Sequence, residues 1–187
     1  MFIAESARVS SKVQVTGNAQ VTGAAQVTEE AQVYEEAHVS GEARVTGEAH
    51  VAGEAHVSDK ALVAGEAFVN GEARVTGEAR VYGRALVYGG AWVTREALVY
   101  GRAHVTDKAL VSGEARVYGE AWVRGEAHVS HQADIRRPRD LLHSRGLYAW
   151  TAFRDREVGI RLTYGCESHA LDQWTQELQA RPWRAPH

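Results

Sequence analysis

One cysteine, one methionine and three prolines among 187 residues remove several architectures at once. A lone Cys166 cannot build an internal disulfide framework. No stretch approaches the apolar length of a membrane span. The start, Met1-Phe2-Ile3-Ala4-Glu5-Ser6, has neither a basic region nor an apolar core of leader length. Charge of one sign is also scarce: 24% of residues are charged, yet the net charge is only −3, which argues against nucleic acid or an anionic membrane as partner. These absences point to a soluble protein of a reducing cytoplasm, large enough for one domain and a small appendage. The balance is uneven along the chain, with 12 Lys/Arg against 17 Asp/Glu in residues 1–133 and 9 against 7 in residues 134–187.

What the chain does have is a period. Twenty-one six-residue units run from Ala7 to Gln132 without an insertion or deletion, each reading Ala-x-Val-x-turn-turn, as in Ala43-Arg44-Val45-Thr46-Gly47-Glu48. The third position is always Val, and the first is Ala except at Val13. Ala and Val two apart give the period-two alternation of a half-buried strand. Gly-Glu, Glu-Glu, Asp-Lys and Gly-Arg then supply turn chemistry after roughly four residues of strand. So strict a repeat predicts a solenoid in which every strand lies on an equivalent one below. A coil without loops also lacks the usual carriers of catalysis.

The unit resembles the hexapeptide repeat of left-handed parallel β-helices, an aliphatic residue followed four positions later by a small one, as in Val45 and Ala49 or Val75 and Ala79. The resemblance covers residues 7–133. It implies a mainly β fold: a left-handed parallel β-helix of about seven triangular coils, three units each, forming a prism roughly 34 Å long. Val fills the prism and Ala points in near a corner. Met1–Ser6 is expected to cap one end and residues 134–187 the other, as a small ββα unit.

A coil period of 18 sorts the outward positions into columns. One face presents Arg8, Gln26, Arg44, Leu62, Arg80, Leu98 and Arg116, beside a column that ends in Tyr82, Tyr100 and Tyr118. The second presents Gln14, Gln32, His50, Phe68, Leu86, His104 and Trp122, beside a column containing Tyr34 and Tyr88. The third presents Gln20, His38, His56, Arg74, Trp92, Leu110 and His128, beside an unbroken hydroxyl column from Thr22 to Ser130. Early coils show Gln, Thr and Ser. Later ones show Phe68, Tyr82, Leu86, Tyr88, Trp92, Leu98, Tyr100, Leu110, Tyr118 and Trp122. Contiguous outward apolar residues, with Tyr, Trp and Arg among them, mark an interface. The plainer reading is that stacked aromatics stabilise their own sheets. With Arg80 and Arg116, these ten residues form the expected binding surface for a protein partner, for a second copy, or for a small anionic ligand between protomers. Enzymes of the family are typically trimers, so the resemblance implies a homo-oligomer, with a trimer favoured.

Nine histidines raise the question of metal or acyl transfer. A metal needs three or four converging ligands, whereas the columns offer neighbouring pairs. The carbonic anhydrases of the fold use a His pair five residues apart, a spacing absent here. No metal and no cofactor are therefore expected. Acyltransferases of the fold use a His as general base, with acetyl-CoA or another acyl-CoA lying along the coils. That reading would place the base at His104 or His128, near aromatic neighbours. Glu36, Glu54 and Glu72 share one corner and are expected to be a solvated edge. The Ser/Thr column suggests ice binding, but His, Arg and Trp beside it break any flat lattice.

Pro138 marks the end of the repeats. Leu147–Arg154 and Ile160–Tyr164 alternate as two strands with a turn at Asp155–Gly159. Ser168 reads as the N-cap of a helix to about Ala180. Trp150, Phe153 and Trp174 are expected to pack on the last coil. Ser144-Arg145-Gly146, Thr151-Ala152-Phe153-Arg154, Gly165-Cys166 and Leu171-Asp172-Gln173-Trp174 resemble a short tail found on bacterial and phage or prophage hexapeptide-repeat proteins. Cys166 beside His169 is read as a buried small hydrophobe rather than a nucleophile, and Arg136, Arg137, Arg139 and Arg145 as a solvated basic linker.

Overall fold

Alternation of inward Val and Ala with outward polar residues builds the same short strand again and again. The computed structural model describes residues 1–137, 141–144, 150–155, 159–164 and 167–170. Each unit contributes a two-residue strand, such as Arg44–Val45, which pairs in parallel with Leu62–Val63 eighteen residues on. Successive units enter three different sheets of eight, eight and seven strands. The result is a parallel β-solenoid of about seven turns.

Hydrogen bonding ties each unit to the unit eighteen residues on. Arg44 N donates to Ala61 O at 2.9 Å and Thr46 N to Val63 O at 2.9 Å, so strand residues bind the next coil. The turns do the same, with Glu66 N donating to Gly83 O at 2.8 Å. A residue added within a strand would break this register and leave backbone groups unmatched. Inside, every Ala and Val from Ala19 to Ala133 at the repeat's first and third positions is buried in one continuous core.

The fifth position of each unit has positive φ from Gly17 to His131. Glycine fits best: a Cβ on Gly47 (φ +75°) would lie 2.8 Å from both Gly65 N and Gly65 O. At three of the acids that stand there instead, Glu35, Asp59 and Asp107, the carboxylate accepts the turn N–H of the next coil. Gly53 N donates to Glu35 at 2.6 Å, Gly77 N to Asp59 at 2.9 Å and Gly125 N to Asp107 at 2.8 Å.

Several expectations change. The paired strands span two residues rather than about four, each followed by one connecting residue and a two-residue turn. Met1–Ser6 does not lie across the end of the prism. Phe2–Ile3 pairs with Gln20–Val21 as one more rung, leaving Met1, Phe2 and Ile3 exposed and Ala7, Val9, Val13 and Val15 only partly buried.

At the other end an antiparallel sheet follows: Leu141–Ser144, Trp150–Asp155, Gly159–Tyr164 and Glu167–Ala170. The two expected strands and their hairpin are present, with Asp155 paired to Gly159. Two further strands flank them, and Ser168 lies inside a strand rather than at a helix start. The rest of that helix, Trp174 and the side chains of Trp150 and Cys166 lie outside the described residues, as do Arg139 and Arg145. Phe153 and Leu141 join the solenoid core, and His128 N donates to Thr151 Oγ1 at 3.2 Å. The last coil is thereby covered.

Candidate interaction surface

Strict stacking turns each sequence column into a straight row. On the arginine face, Tyr82, Tyr100 and Tyr118 lie parallel, with centroids 5.0 Å apart at each step. Each inner ring face is covered by its neighbour, so this column presents ring edges and hydroxyls to solvent. Tyr118 donates its hydroxyl hydrogen bond to Asp134, and that bond, aided by burial, pushes its pKa up.

On the second face, Tyr34 meets His50 edge-on, His50 tilts against Phe68 at 5.6 Å, and His104 stacks on Trp122 at 5.0 Å. Burial, then the charge of Glu35, raises the Tyr34 pKa. On the third face, His38 and His56 stack at 4.8 Å, and the Arg74 guanidinium sits 4.9 Å from the centre of the Trp92 ring.

The twelve expected binding residues are thus divided among three faces. Arg80, Tyr82, Leu98, Tyr100, Arg116 and Tyr118 share the first. Phe68, Leu86, Tyr88 and Trp122 share the second, and Trp92 and Leu110 the third. Most of the apolar ones are half-buried by their own columns. The exceptions are Tyr88, Trp92 and Trp122, at 38%, 47% and 46% exposure. Two of these flank a single corner, Tyr88-Gly89-Gly90-Ala91-Trp92, whose two turn residues carry no side chain of their own. The sequence carried the signal for this bare corner: Gly89-Gly90 is the one Gly-Gly pair within the repeats.

The candidate bases are not brought together. His104 lies on the second face and His128 on the third. His104 Nδ1 is buried without a hydrogen-bond partner. Among the described residues, no three His, Cys, Asp or Glu side chains converge as a metal site.

The family model described as YdcK Beta solenoid repeat matches residues 79–95, a segment that includes Arg80, Tyr82, Leu86, Tyr88 and Trp92. No curated protein matches the chain. The chain is a β-solenoid protein.

The corners of this β-solenoid carry most of its charge. Along the corner after the arginine face, Lys12 pairs with Glu30 at 3.4 Å and Arg84 with Glu66 at 2.9 Å, and Glu48 lies between the two pairs. These residues wall an open groove of about 610 Å³ floored by Gly47, Gly65 and Gly83. A second groove of about 630 Å³ runs along the corner before that face, between Glu78, Glu96 and Glu114 and past Arg95 and His131. Neither groove includes His104 or His128. The third corner differs: Glu36, Glu54 and Glu72 are exposed and form no ion pair among the described residues. It lies directly below Gly90, and therefore below Tyr88 and Trp92.

Proposed function

We propose that this protein is a non-catalytic scaffold that binds a protein partner or further copies of itself through the late coils. The carrying observation is the bare Gly89–Gly90 corner with Tyr88 and Trp92 exposed on either side, and Trp122 exposed two coils beyond. Large aromatics left open on a rigid frame are what a binding surface needs: much contact area, with little side-chain freedom to lose. The tyrosine column contributes less to binding, because its ring faces are already used within the fold. Association in threes is the closed form that the hexapeptide-repeat resemblance implies, and an anionic ligand between protomers remains a use for Arg80 and Arg116.

The test is the solution mass of the wild type against Trp92→Glu/Trp122→Glu. Both rings are about half exposed, so the variant should keep the wild-type circular dichroism. It should also lose any assembly larger than the monomer and any captured partner. An unchanged particle mass in a folded variant would refute the reading.

A further inference from the structure

The arginine face and the Glu36–Glu54–Glu72 corner are opposite sides of the same triangle. The chain passes from the arginine face to the second face and on to the third, and this corner joins the second to the third. Arg8, Arg44, Arg80 and Arg116 recur on every second coil of their row, all exposed, and none forms an ion pair or side-chain hydrogen bond among the described residues. The corner opposite holds three consecutive carboxylates, about 4.8 Å apart per coil, none of them in an ion pair among the described residues, although Glu54 acts on the nearby His56. One molecule therefore carries an unneutralised cationic row and an unneutralised anionic edge.

We infer that the partner of this surface is a second copy, its Glu36–Glu54–Glu72 edge seated on Arg44 and Arg80 of the first. The inference rests on the scaffold reading and adds to it the partner and the mode. Commensurability carries it. Both rows are set by the same coil height, so alternate glutamates are spaced as the arginines are, at about 9.6 Å, and charge matching extends along the axis without slippage. The contact also relieves the repulsion between adjacent glutamates. Just above the acidic stretch, the edge presents Tyr88 and Trp92, which meet the Leu98 level of the arginine face when Glu36 and Glu72 sit on Arg44 and Arg80.

An edge docking on the face opposite to it is a heterologous contact related mainly by translation, so it does not close. Copies add side by side into an open row. A closed trimer is a different geometry.

Sedimentation velocity over a concentration series decides the matter. At about 10 mM salt the wild type should gain mass continuously with concentration, and at about 1 M salt, where screening acts within about 3 Å, it should lose that gain. Arg44→Glu/Arg80→Glu and Glu54→Arg/Glu72→Arg should each weaken self-association roughly tenfold or more. Mixed together, they should associate again, because each retains the surface the other lacks. Two outcomes of the sedimentation runs overturn the inference. One is failure of the mixture to associate while both variants are folded. The other is a salt-insensitive particle of fixed mass; if that particle is lost in Trp92→Glu/Trp122→Glu, the scaffold reading survives and this inference does not. Retention of polyglutamate by a wild type that stays monomeric would likewise overturn it and assign the arginine row to an acidic peptide.

Discussion

His56 occupies an unusual place for an exposed imidazole, between the parallel ring of His38 below and the guanidinium of Arg74 above. Burial lowers its pKa, His38 and Arg74 lower it further, and Glu54 opposes them. The folded state thus binds the proton more weakly than the unfolded chain, whose histidine titrates near pH 6.5. Stability from this site is complete above about pH 6.5 and declines as the pH falls through that value towards the lower folded pKa. The expected outcome is a lower urea midpoint at about pH 5.5 than at about pH 7.5, with a smaller drop in His56→Gln. Equal drops in the two proteins would remove His56 as a cause. Solvent screens a group this exposed, so the difference between the two proteins is small. The same scale explains the acidic turn residues. At Glu35, Asp59 and Asp107 a carboxylate offsets a left-handed backbone by accepting the N–H of the glycine in the next coil.

At the scale of elements, a column behaves as one unit. Tyr100 stacks on Tyr82 and on Tyr118, whereas Tyr82 has one tyrosine neighbour. Each such pair contributes about 1 kcal/mol beyond burial. Tyr100→Ala should therefore cost about 2 kcal/mol from lost stacking and Tyr82→Ala about 1 kcal/mol. The double variant should cost less than the sum, because Tyr82 has nothing to stack on once Tyr100 is gone. Denaturant melts of the four proteins measure this, and strict additivity would show that the rings do not support one another. Columns of this kind were legible from the sequence because period 18 alone assigns Tyr82, Tyr100 and Tyr118 to one row. Outward position alone leaves open whether a ring is available or stacked on its neighbour, and the ring geometry shows the tyrosines stacked. Where the repeat stops, legibility fell. Ser168 has a local capping signal, but pairing of Glu167–Ala170 with Arg161–Tyr164 is decided across the chain, and tertiary pairing outweighed a single N-cap residue. The two-residue spacing at Gly165-Cys166 was the hairpin signal that could have exposed it. Met1–Ser6 misled for the opposite reason. Its apolar start looked like a lid, yet Ile3 has a free place beside Val21 in the sheet.

The whole molecule is a stack of nearly interchangeable coils, and this separates what sets the fold from what decorates it. From Ala19 onward Val and Ala fill the interior alike in each unit, so the core cannot distinguish one register from another that is shifted by a whole unit. The outward columns can. Deleting residues 43–60 removes a full coil and keeps every column, bringing Gln26 beside Leu62, Gln32 beside Phe68 and His38 beside Arg74. Deleting residues 43–48 removes one unit and rotates all later coils by a third of a turn, so Gln32 meets His56 and His38 meets Leu62. Both deletions keep Val on Val and should melt cooperatively, because nearest-neighbour burial dominates stability in a solenoid. Their difference should amount to no more than the few cross-strand pairs exchanged at the joint, about 1–2 kcal/mol. Deleting residues 43–45 should abolish the cooperative transition above the cut, since it places outward residues in the core positions. Thermal melts followed by circular dichroism compare the three. If the one-unit deletion failed to fold while the one-coil deletion folded, register would be held by the outward columns rather than by the Val and Ala interior. The exposed rows would then be part of the folding code as well as of the surface.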